Sequence, residues 1–219
     1  TIANNVANMN TPGYRAEGVH FSALVGPGAQ GVAFASEGAS YTALRAGPLT
    51  ATGNPLDIAI EGKSWFAVRT PDGIAYTRDG RMRMTPEGEL RTMADQPVLD
   101  SGGAPAIVDP SGGAVQVGAD GSLSQRGRSV GRIGLYLLPE GARLIRQEGG
   151  TVRADRPGTL VQDFTRDSVR QGFVEGSNVE PVLEMTRLIA LQRAFEMAAS
   201  AVSQTEDVTS DTIRQLGPS

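Results

Sequence analysis

The sequence predicts an α+β protein in which long N- and C-terminal helices pair in a coiled-coil-like bundle, with an antiparallel β-rich domain inserted between them. Three observations support this fold class. Apolar residues recur at helical spacing at the beginning of the 219-residue chain, and a long run without Gly or Pro lies near its end. Between these segments, short runs of β-branched and aromatic residues alternate with Gly-bearing turns, which is typical of antiparallel strands.

The N-terminal helix is predicted from the three- and four-residue spacing of Ile2, Val6 and Met9. It ends at residues 10–13, where Asn, Thr, Pro and Gly follow one another and favour a turn. We assign residues 1–14 to the end of this helix and expect more of it upstream of the first residue. Asparagines are poor helix formers that more often cap or bridge backbone groups, and the polar side of this helix carries three: Asn4, Asn5 and Asn8.

An arm is predicted to follow this helix, over residues 15–55. The periodicity fades there and glycines are spread among small residues, so we expect an extended segment that is ordered mainly by what it lies against. A return segment, residues 151–176, leads from the β-rich domain back toward the C-terminal helix. Both ends of the chain are therefore expected to meet.

The β-rich outer domain is predicted over residues 56–150. Its clearest signals are two hairpins, whose turns at residues 71–73 and 86–88 each contain Pro and Gly between β-prone runs. A further turn is predicted at residues 140–141, and a long loop over residues 101–113. Short strands with regular Gly-bearing turns favour a small antiparallel sandwich or barrel.

The C-terminal segment, residues 177–219, is predicted to form one helix over residues 180–216. Ser177 and Asn178 are favourable N-caps, and a Glu three positions after Ser177 has the spacing of a capping box. Pro181 falls in the first turn, where its missing N–H costs little. The helix would be about 55 Å long, whereas a globule of this chain length is about 45 Å across. We therefore expect it to extend past its own domain.

This helix carries an apolar seam and little charge. Between Leu188 and Thr205 the only charged residues are Arg193 and Glu196, so a broad solvated face is missing. These charges and Gln192 also interrupt any membrane-spanning run. The pattern favours a helix packed on several sides by other chains, with the central helix of a bundle as the alternative. The seam follows alternating three- and four-residue steps: Met185, Leu188, Gln192, Phe195, Ala199, Val202, Glu206, Thr209, Ile213 and Leu216.

Composition argues against several function classes. Twenty basic residues against 24 acidic ones give no case for binding nucleic acid or an anionic membrane. The chain has no Cys, so disulfides and thiolate metal sites are excluded. Its single histidine, His20, does not supply a multi-histidine metal site, and we assign it no catalytic role. We expect no catalytic residue, no cofactor and no metal.

Three local patterns resemble chemical sites. Gly62-Lys63-Ser64 looks like the end of a phosphate-binding loop, but the required first glycine is replaced by Asp57 and a strand follows in place of a helix. Asp57, Glu61 and Asp79 could pair as carboxylates for glycoside hydrolysis, although acidic residues beside Gly are more often turn formers. Asp120-Gly121 lacks the alternating oxygen ligands of a calcium loop and is interpreted as a turn.

Four motifs in order along the chain resemble signatures of the bacterial flagellar rod and hook protein family. They span nearly the whole chain: TIANNVANMNTPGY at residues 1–14, GNPLDIAIEG at 53–62, YTRDG at 76–80 and GSNVEPV at 176–182. The resemblance implies a structural subunit whose terminal helices pair and stack radially with those of neighbouring subunits. They would form the inner tube of an axial rod that transmits torque, with the β domain facing outward.

The resemblance also implies partners and a location. The partners would be copies of the same chain, other axial rod proteins and the flagellar export apparatus, with no nucleic acid, small-molecule substrate or membrane insertion. The location would be the periplasm-spanning rod of the basal body, reached by export without a cleaved signal peptide. The residues predicted to pack in the assembly are Ile2, Val6, Met9, Met185, Leu188, Phe195, Val202 and Ile213. The motif and turn residues are Asn4, Asn5, Asn8, Pro12, Gly13, Tyr14, Asn54, Pro55, Asp57, Arg78, Asp79, Gly80, Ser177 and Asn178.

Within the family, residues 178–185 resemble the proximal rod protein most, and a distal rod or hook subunit is the alternative. The modest outer domain disfavours the hook protein. A third interpretation from another class is a monomeric periplasmic β-domain that binds or cleaves cell-wall glycan. A monomeric binder would tolerate polar substitutions along the terminal helix, whereas a rod subunit would not.

Overall fold

The computed structural model describes the backbone of residues 1–19, 22–25, 33–36 and 40–216, and the side chains of these residues except 22–25, 33–36, 201–202 and 205–216. The predicted Val202 and Ile213 side chains and His20 therefore lie outside the described residues. The described part holds two α-helices and one short 3-10 helix: α1 (Ile2–Ala7), α2 (Pro181–Leu216) and the 3-10 helix Glu148–Gly150. Its strands are β1 (Glu17–Val19), β2 (Ser22–Val25), β3 (Ala33–Ser36), β4 (Ser40–Thr42), β5 (Leu49–Ala51), β6 (Ile58–Glu61), β7 (Trp65–Thr70), β8 (Gly73–Thr77), β9 (Met82–Met84), β10 (Leu90–Thr92), β11 (Gln116–Val117), β12 (Ser122–Gln125), β13 (Arg128–Arg132), β14 (Leu135–Leu137), β15 (Leu144–Gln147), β16 (Thr151–Ala154), β17 (Thr159–Leu160), β18 (Ser168–Gln171) and β19 (Phe173–Glu175).

A six-stranded antiparallel sheet forms the centre of the β body, in the order β15-β16-β8-β7-β14-β17. Its central strand β7 is buried on both faces, because successive side chains of a strand point to opposite sides. Phe66 and Val68 face the larger hydrophobic core, whereas Trp65 and Ala67 face a smaller one with Tyr76. The sheet is therefore covered on both sides.

The two predicted hairpins are confirmed. β7 and β8 pair antiparallel around the turn at residues 71–73, with Thr70 opposite Gly73. β9 and β10 pair around residues 86–88, where the amide of Gly88 donates to the carbonyl of Thr85 at 2.9 Å. The predicted turn at residues 140–141 also forms, but the strands on either side of it separate: β14 pairs with β7 and β17, and β15 pairs with β16.

Both ends of the chain are joined to the β body by short antiparallel pairs. β18 pairs with β6 and β19 pairs with β5, so the return segment runs beside residues 49–61. β1 pairs with β4, and we call this pair the β1–β4 ribbon. These pairs place residues 13–17, 43–47 and 175–180 next to one another, where α2 begins.

The predicted pairing of long terminal helices in a coiled-coil-like bundle is wrong. α1 has six residues and ends at Ala7, after which residues 8–13 turn and Gly13 adopts a left-handed φ of +69°. Six residues are shorter than one heptad, so α1 touches α2 but cannot form a seam along it. The described chain is mostly β-strand, with one long helix toward its C-terminal end.

The helix α2 has 36 residues and a length of about 54 Å. Pro181 is its first residue, as expected for a residue without a backbone N–H. The predicted capping box is not formed. The Ser177 hydroxyl accepts from the amide of Val179 at 3.2 Å, and the Glu180 carboxylate binds Arg45 at 2.7 Å instead of turning back to the backbone.

Candidate assembly site

A buried carboxylate at the end of β19 brings four distant parts of the chain together. Glu175 is fully buried, and its Oε2 accepts from Nε of Arg78 at 2.7 Å. Its Oε1 lies 2.5 Å from Nη1 of Arg15 and accepts from the backbone amide of Gly47 at 2.8 Å. We call the surroundings of this carboxylate the junction, defined by Gly13, Arg15, Gly47, Arg78, Glu175 and Asn178.

Arg78 follows β8 and is 1% exposed. Besides Glu175, its guanidinium donates to the carbonyl of Ser64 and, through Nη2, to those of Ile60 and Gly62 at 3.1 and 3.2 Å. A buried charge is tolerated when it is paired and its remaining donors are used. Arg78 therefore fixes residues 60–64 relative to the C-terminal strand.

Arg15 brings a second positive charge into the junction. Its Nη1 donates to the carbonyl of Arg45 at 2.6 Å, and its guanidinium lies 5.8 Å from the ring centroid of Trp65. Burial lowers the pKa of Arg15 to about 10, while Glu175 acts in the opposite direction. Because that pKa is still well above neutral, the guanidinium is charged at pH 7. One carboxylate thus neutralises two buried cations only in part.

Two glycines allow backbones to meet in the junction. The amide of Gly13 donates to the carbonyl of Glu175 at 2.8 Å, and a Cβ at Gly13 would lie 2.8 Å from the Cα of Asp79. A Cβ at Gly47 would lie 2.8 Å from the carbonyl carbon of Gly176. Side chains at these two positions would force the N-terminal turn and the arm away from the β body.

Asn178 ties the beginning of α2 to the β1–β4 ribbon. Its Oδ1 accepts from the amide of Ala16 at 2.6 Å, and its Nδ2 donates to the carbonyls of Ala43 and Arg45 at 3.1 and 2.7 Å. The residue is 7% exposed. Three hydrogen bonds from one short side chain hold both sides of the ribbon against the helix start.

Asn5 ties α1 to the same ribbon. It is 1% exposed; its Oδ1 accepts from the amide of Glu17 at 2.9 Å and from the hydroxyl of Tyr14 at 3.3 Å, and its Nδ2 donates to the carbonyl of Glu17 at 2.9 Å. Burial raises the pKa of Tyr14, so the phenol keeps its proton as a donor at neutral pH. The guanidinium of Arg146 covers the Tyr14 ring at 4.2 Å.

The remaining motif residues hold local turns. Asn54 Nδ2 donates to Asp57 at 2.9 Å and Asn54 Oδ1 accepts from the amide of Leu56 at 3.2 Å. Asp79 binds Arg81 through both carboxylate oxygens. Asn8 Oδ1 accepts from the hydroxyl of Thr11 at 3.1 Å. The other members are the exposed Asn4 and Pro55, the half-buried Pro12 and Ser177, and the buried Gly80.

The second part of the site is the exposed surface of α2. Between Val182 and Ser200 only Glu184 is buried and only Leu188 is half-buried. Large apolar side chains are exposed along it, with Phe195 at 75%. They are Val182, Leu183, Met185, Ile189, Leu191, Phe195 and Met197. Contiguous exposed apolar surface of this kind marks an interaction site.

The structure brings only some of the predicted assembly residues together. Ile2, Val6 and Met9 are half-buried and α1 is in contact with α2, whereas Met185 and Phe195 are exposed. Of the described seam residues, Met185, Gln192, Phe195 and Ala199 are exposed and Leu188 is half-buried, so most of the predicted seam faces solvent.

The patterns that resembled chemical sites are engaged in the fold. The amides of Lys63 and Ser64 both donate to Oδ1 of Asp167 at 2.7 Å, so the chain's own carboxylate occupies the place of a phosphate. Glu61 binds Arg170 at 3.1 Å, and the other two candidate carboxylates bind Asn54 and Arg81 as described above. In the ranges that the structure describes, no group of His, Asp and Glu side chains is arranged to hold a metal ion.

Sequence reasoning missed Glu175, Arg15, Arg45 and Gly47. Glu175 lies directly before the motif at residues 176–182, and Arg15 directly after the one at residues 1–14. The position of these two charged residues directly beside the motifs was the available signal. A charged residue next to a motif that makes a tight turn is well placed to bind the backbone or a side chain of that turn. The burial of Glu175 and Arg15 depends on the pairing between β19 and β5. Local sequence patterns do not indicate this pairing.

Models of three protein families match the chain. Residues 1–15 match the flagella basal body rod protein model, and residues 59–125 match the flagellar hook protein FlgE/F/G D1 domain. Residues 170–215 match the flagellar basal body rod FlgEFG protein C-terminal model. Among the described helices, none combines the length and hydropathy that crossing a membrane requires.

The chain is similar over nearly its whole length to curated rod proteins. It is 49% identical to the flagellar basal-body rod protein FlgF of Mesorhizobium japonicum over 218 residues, which are 99% of this chain and 90% of the relative. It is 39% identical to FlgF of Rhizobium meliloti over 221 residues, covering 100% of this chain and 91% of that one. FlgF of Caulobacter vibrioides is 38% identical over 222 residues, with 99% and 90% covered.

Proposed function

Since this chain belongs to the flagellar basal-body rod protein family, we propose that it is a structural subunit of the proximal rod and that it assembles through α2. A distal rod or hook subunit is not favoured, because the three relatives above are all named FlgF. The observation that carries the proposal is the apolar surface of α2, which is exposed from Val182 to Met197. The helix polymerises with α2 of neighbouring subunits and with other rod proteins.

The driving force for assembly is burial of the exposed apolar side chains of α2, at about 25 cal/mol per Å². The helix carries few charges that would have to be desolvated: between Leu188 and Thr205 they are Arg193 and Glu196. Because the apolar side chains lie on several sides of the helix, each copy contacts more than one neighbour. Heterologous contacts that repeat in this way build an open tubular lattice.

The junction gives the tube a rigid link to the β body. Arg78 and Arg15 clamp Glu175, and Asn178 fastens the ribbon to the residues where α2 begins. A load on the helix is therefore passed to the six-stranded sheet without a flexible linker. In this proposal, Ile2, Val6 and Met9 extend the packed surface at the tube, residues 15–55 form a strap between subunits, and the β-rich domain of residues 56–150 faces outward.

In this proposal the subunit has a structural role, through its packing against other subunits, and catalyses no reaction. The relatives are named as rod proteins, and the three candidate carboxylates for glycan cleavage are each bound to a partner within the fold. Its place is the periplasm-spanning rod of the basal body, which it reaches through the flagellar export apparatus. No observation favours the monomeric glycan-binding alternative.

Purified basal bodies test this function. Detergent-extracted basal bodies from the source bacterium are analysed by quantitative mass spectrometry for this chain. We expect it in the axial structure at a few copies per particle. Many tens of copies would indicate a distal rod or hook subunit. Recovery only in the soluble fraction would contradict the rod function and make the monomeric binder the leading interpretation.

A further inference from the structure

The outer edge of β5 is open. β5 pairs with β19 on one side, and no described strand pairs with its other side. Across this pair, the amide of Thr52 donates to the carbonyl of Gly172 at 2.8 Å. Hydrogen-bonded residues alternate along an antiparallel pair, so the N–H and C=O groups of Leu49 and Ala51 point away from β19. No described residue forms a backbone hydrogen bond with these four groups.

This edge lacks the features that protect other edges of the chain. The outer side of β1 is closed by Asn5, whose side-chain amide bonds both backbone groups of Glu17. β13 has an irregular register and an arginine at each end, and bulges and charges are usual protections against pairing with another chain. β5 pairs in a regular register, and residues 46–56 contain no charged residue. The edge is therefore suited to the addition of a strand.

The β2–β3 pair lacks a third strand. Its two strands pair with each other and with no other strand in the described part of the chain. A two-stranded pair is marginally stable in water, and three or more strands, or packing on a helix, are usually needed. The sequence around it is also uncharged, since residues 21–36 contain no Asp, Glu, Lys or Arg. The pair can thus meet β5 without desolvating a charged side chain of its own.

β5 lies beside the residues where α2 begins. The amide of Gly176 donates to the carbonyl of Pro48, directly before β5, at 2.8 Å. The carboxylate of Glu175 accepts from the amide of Gly47 at 2.8 Å. A strand added to β5 would therefore attach at the junction, next to the helix through which the copies are proposed to assemble. The two contacts would form one continuous interface.

We propose that the β2–β3 pair of a second copy of this chain adds to the outer edge of β5. The inference rests on the proposed rod assembly, and it names the contact that the strap of residues 15–55 makes. The pair and the edge both lack a strand partner in their own chain. Each copy therefore supplies its pair to one neighbour and receives a pair from another. Such a heterologous contact repeats along an open lattice.

Cysteine scanning in basal bodies tests this contact. The chain has no Cys, so Thr50→Cys is combined with one cysteine at a time at residues 22–25 and 33–36. Thr50 is exposed and takes a non-hydrogen-bonded position toward an added strand. There Cα atoms are about 4.5 Å apart, within the about 7 Å limit of a disulfide. After mild oxidation we expect disulfide-linked dimers at alternate positions of one strand, because successive side chains point to opposite faces.

The matched control replaces Thr50→Cys by Ala104→Cys, an exposed position away from β5, and should give at least about tenfold less dimer. If the chain is present in basal bodies but dimers show no alternation or do not form, strand addition is wrong while the rod function stands. A disulfide within one chain, or a product with a different axial protein, overturns a second copy as the partner. Absence of the chain from basal bodies overturns both proposals.

A proline variant provides the second readout. Ala51→Pro removes an N–H that points outward, and proline is tolerated on the open side of an edge strand. The Tm of the purified chain should therefore change by less than about 4 °C, while the dimer from the best cysteine pair should fall at least about tenfold. Ala51→Ser retains the N–H and should leave the dimer within about twofold. Equal yields from the two variants would overturn pairing through this edge.

Discussion

At the scale of residues, the junction depends on one carboxylate between two guanidiniums. A buried ion pair is not in itself strongly stabilising, because desolvation offsets the attraction. Removing one partner is different, since it leaves an uncompensated charge in the interior. Glu175 has two such partners, Arg15 and Arg78. Its loss would leave both cations buried and unpaired, so the position is sensitive to substitution.

We therefore expect Glu175→Gln to lower the free energy of unfolding by about 3–5 kcal/mol. Urea titration followed by Trp65 fluorescence measures this change, because that ring lies beside Arg15. Glu180→Gln is the control: it breaks a pair with Arg45 whose side chains are 59% and 67% exposed, and such pairs contribute at most about 1 kcal/mol. Equal effects of the two substitutions would contradict the central role of Glu175.

A second prediction at this scale concerns Gly13. Gly13 and Gly53 both adopt a left-handed φ, +69° and +74°. Gly53→Ala has open space around its Cβ, so it should lower the free energy of unfolding only by the penalty of a left-handed backbone, about 1–2 kcal/mol. Gly13→Ala would in addition collide with the backbone of Asp79 and should cost at least about 2 kcal/mol more. Thermal unfolding of both variants compares them, and a difference below about 1 kcal/mol would argue against the close packing.

The chemistry of the junction could be predicted only in part. The motif residues Asn178, Arg78 and Gly13 were identified because they stand in recognisable short patterns. Glu175 was not, because a single Glu in a three-residue strand carries no local sign of burial. Its partner Arg78 is 97 positions away. Charges that meet through tertiary pairing leave no periodicity for sequence reasoning to detect.

At the scale of elements, local patterns predicted the hairpins and the long helix well. The β7–β8 and β9–β10 turns each contain a Pro followed two positions later by a Gly, a composition typical of turns. The helix α2 begins within one residue of the predicted position. The coiled-coil pairing could not be predicted correctly, because a seam indicates that a helix is packed but not by what. Likewise, the separation of β14 from β15 follows from the order of the whole sheet.

The exposed face of α2 gives the prediction at this scale. Phe195→Asp should abolish motility and incorporation into basal bodies, because it places a charge where neighbouring helices pack. Since Phe195 is 75% exposed, the variant should keep the Tm of the unmodified chain within about 2 °C, corresponding to less than about 1 kcal/mol. Gln192→Asp tests whether any added charge on this helix has the same effect. Normal motility of the Phe195→Asp strain would contradict assembly through this face.

At the scale of the whole molecule, the β body and the helix differ in what stabilises them. The body buries its apolar residues within the chain, around Phe66, Leu90 and Leu135. The helix buries little beyond its first turns, and its apolar residues remain available to other chains. Residues 168–178 belong to the body, because they supply β18, β19, Glu175 and Asn178. The boundary that matters for stability therefore lies inside α2 and not at its beginning.

Two truncations test this boundary. A chain ending at residue 189 retains Glu184 and Leu188, the packed residues of α2, and should unfold cooperatively within about 4 °C of the full chain in its monomeric form, a loss near 1 kcal/mol. A chain ending at residue 166 lacks β18 and β19, so it exposes the edges of β5 and β6 and leaves Arg15 and Arg78 without their carboxylate. It should show no cooperative transition by calorimetry.

If the shorter chain unfolded as cooperatively as the longer one, the C-terminal strands would be accessory to the body. If the longer chain failed to fold, the exposed part of α2 would be needed to stabilise the monomer. This result would contradict the proposed boundary, because the apolar residues in that part of the helix face solvent.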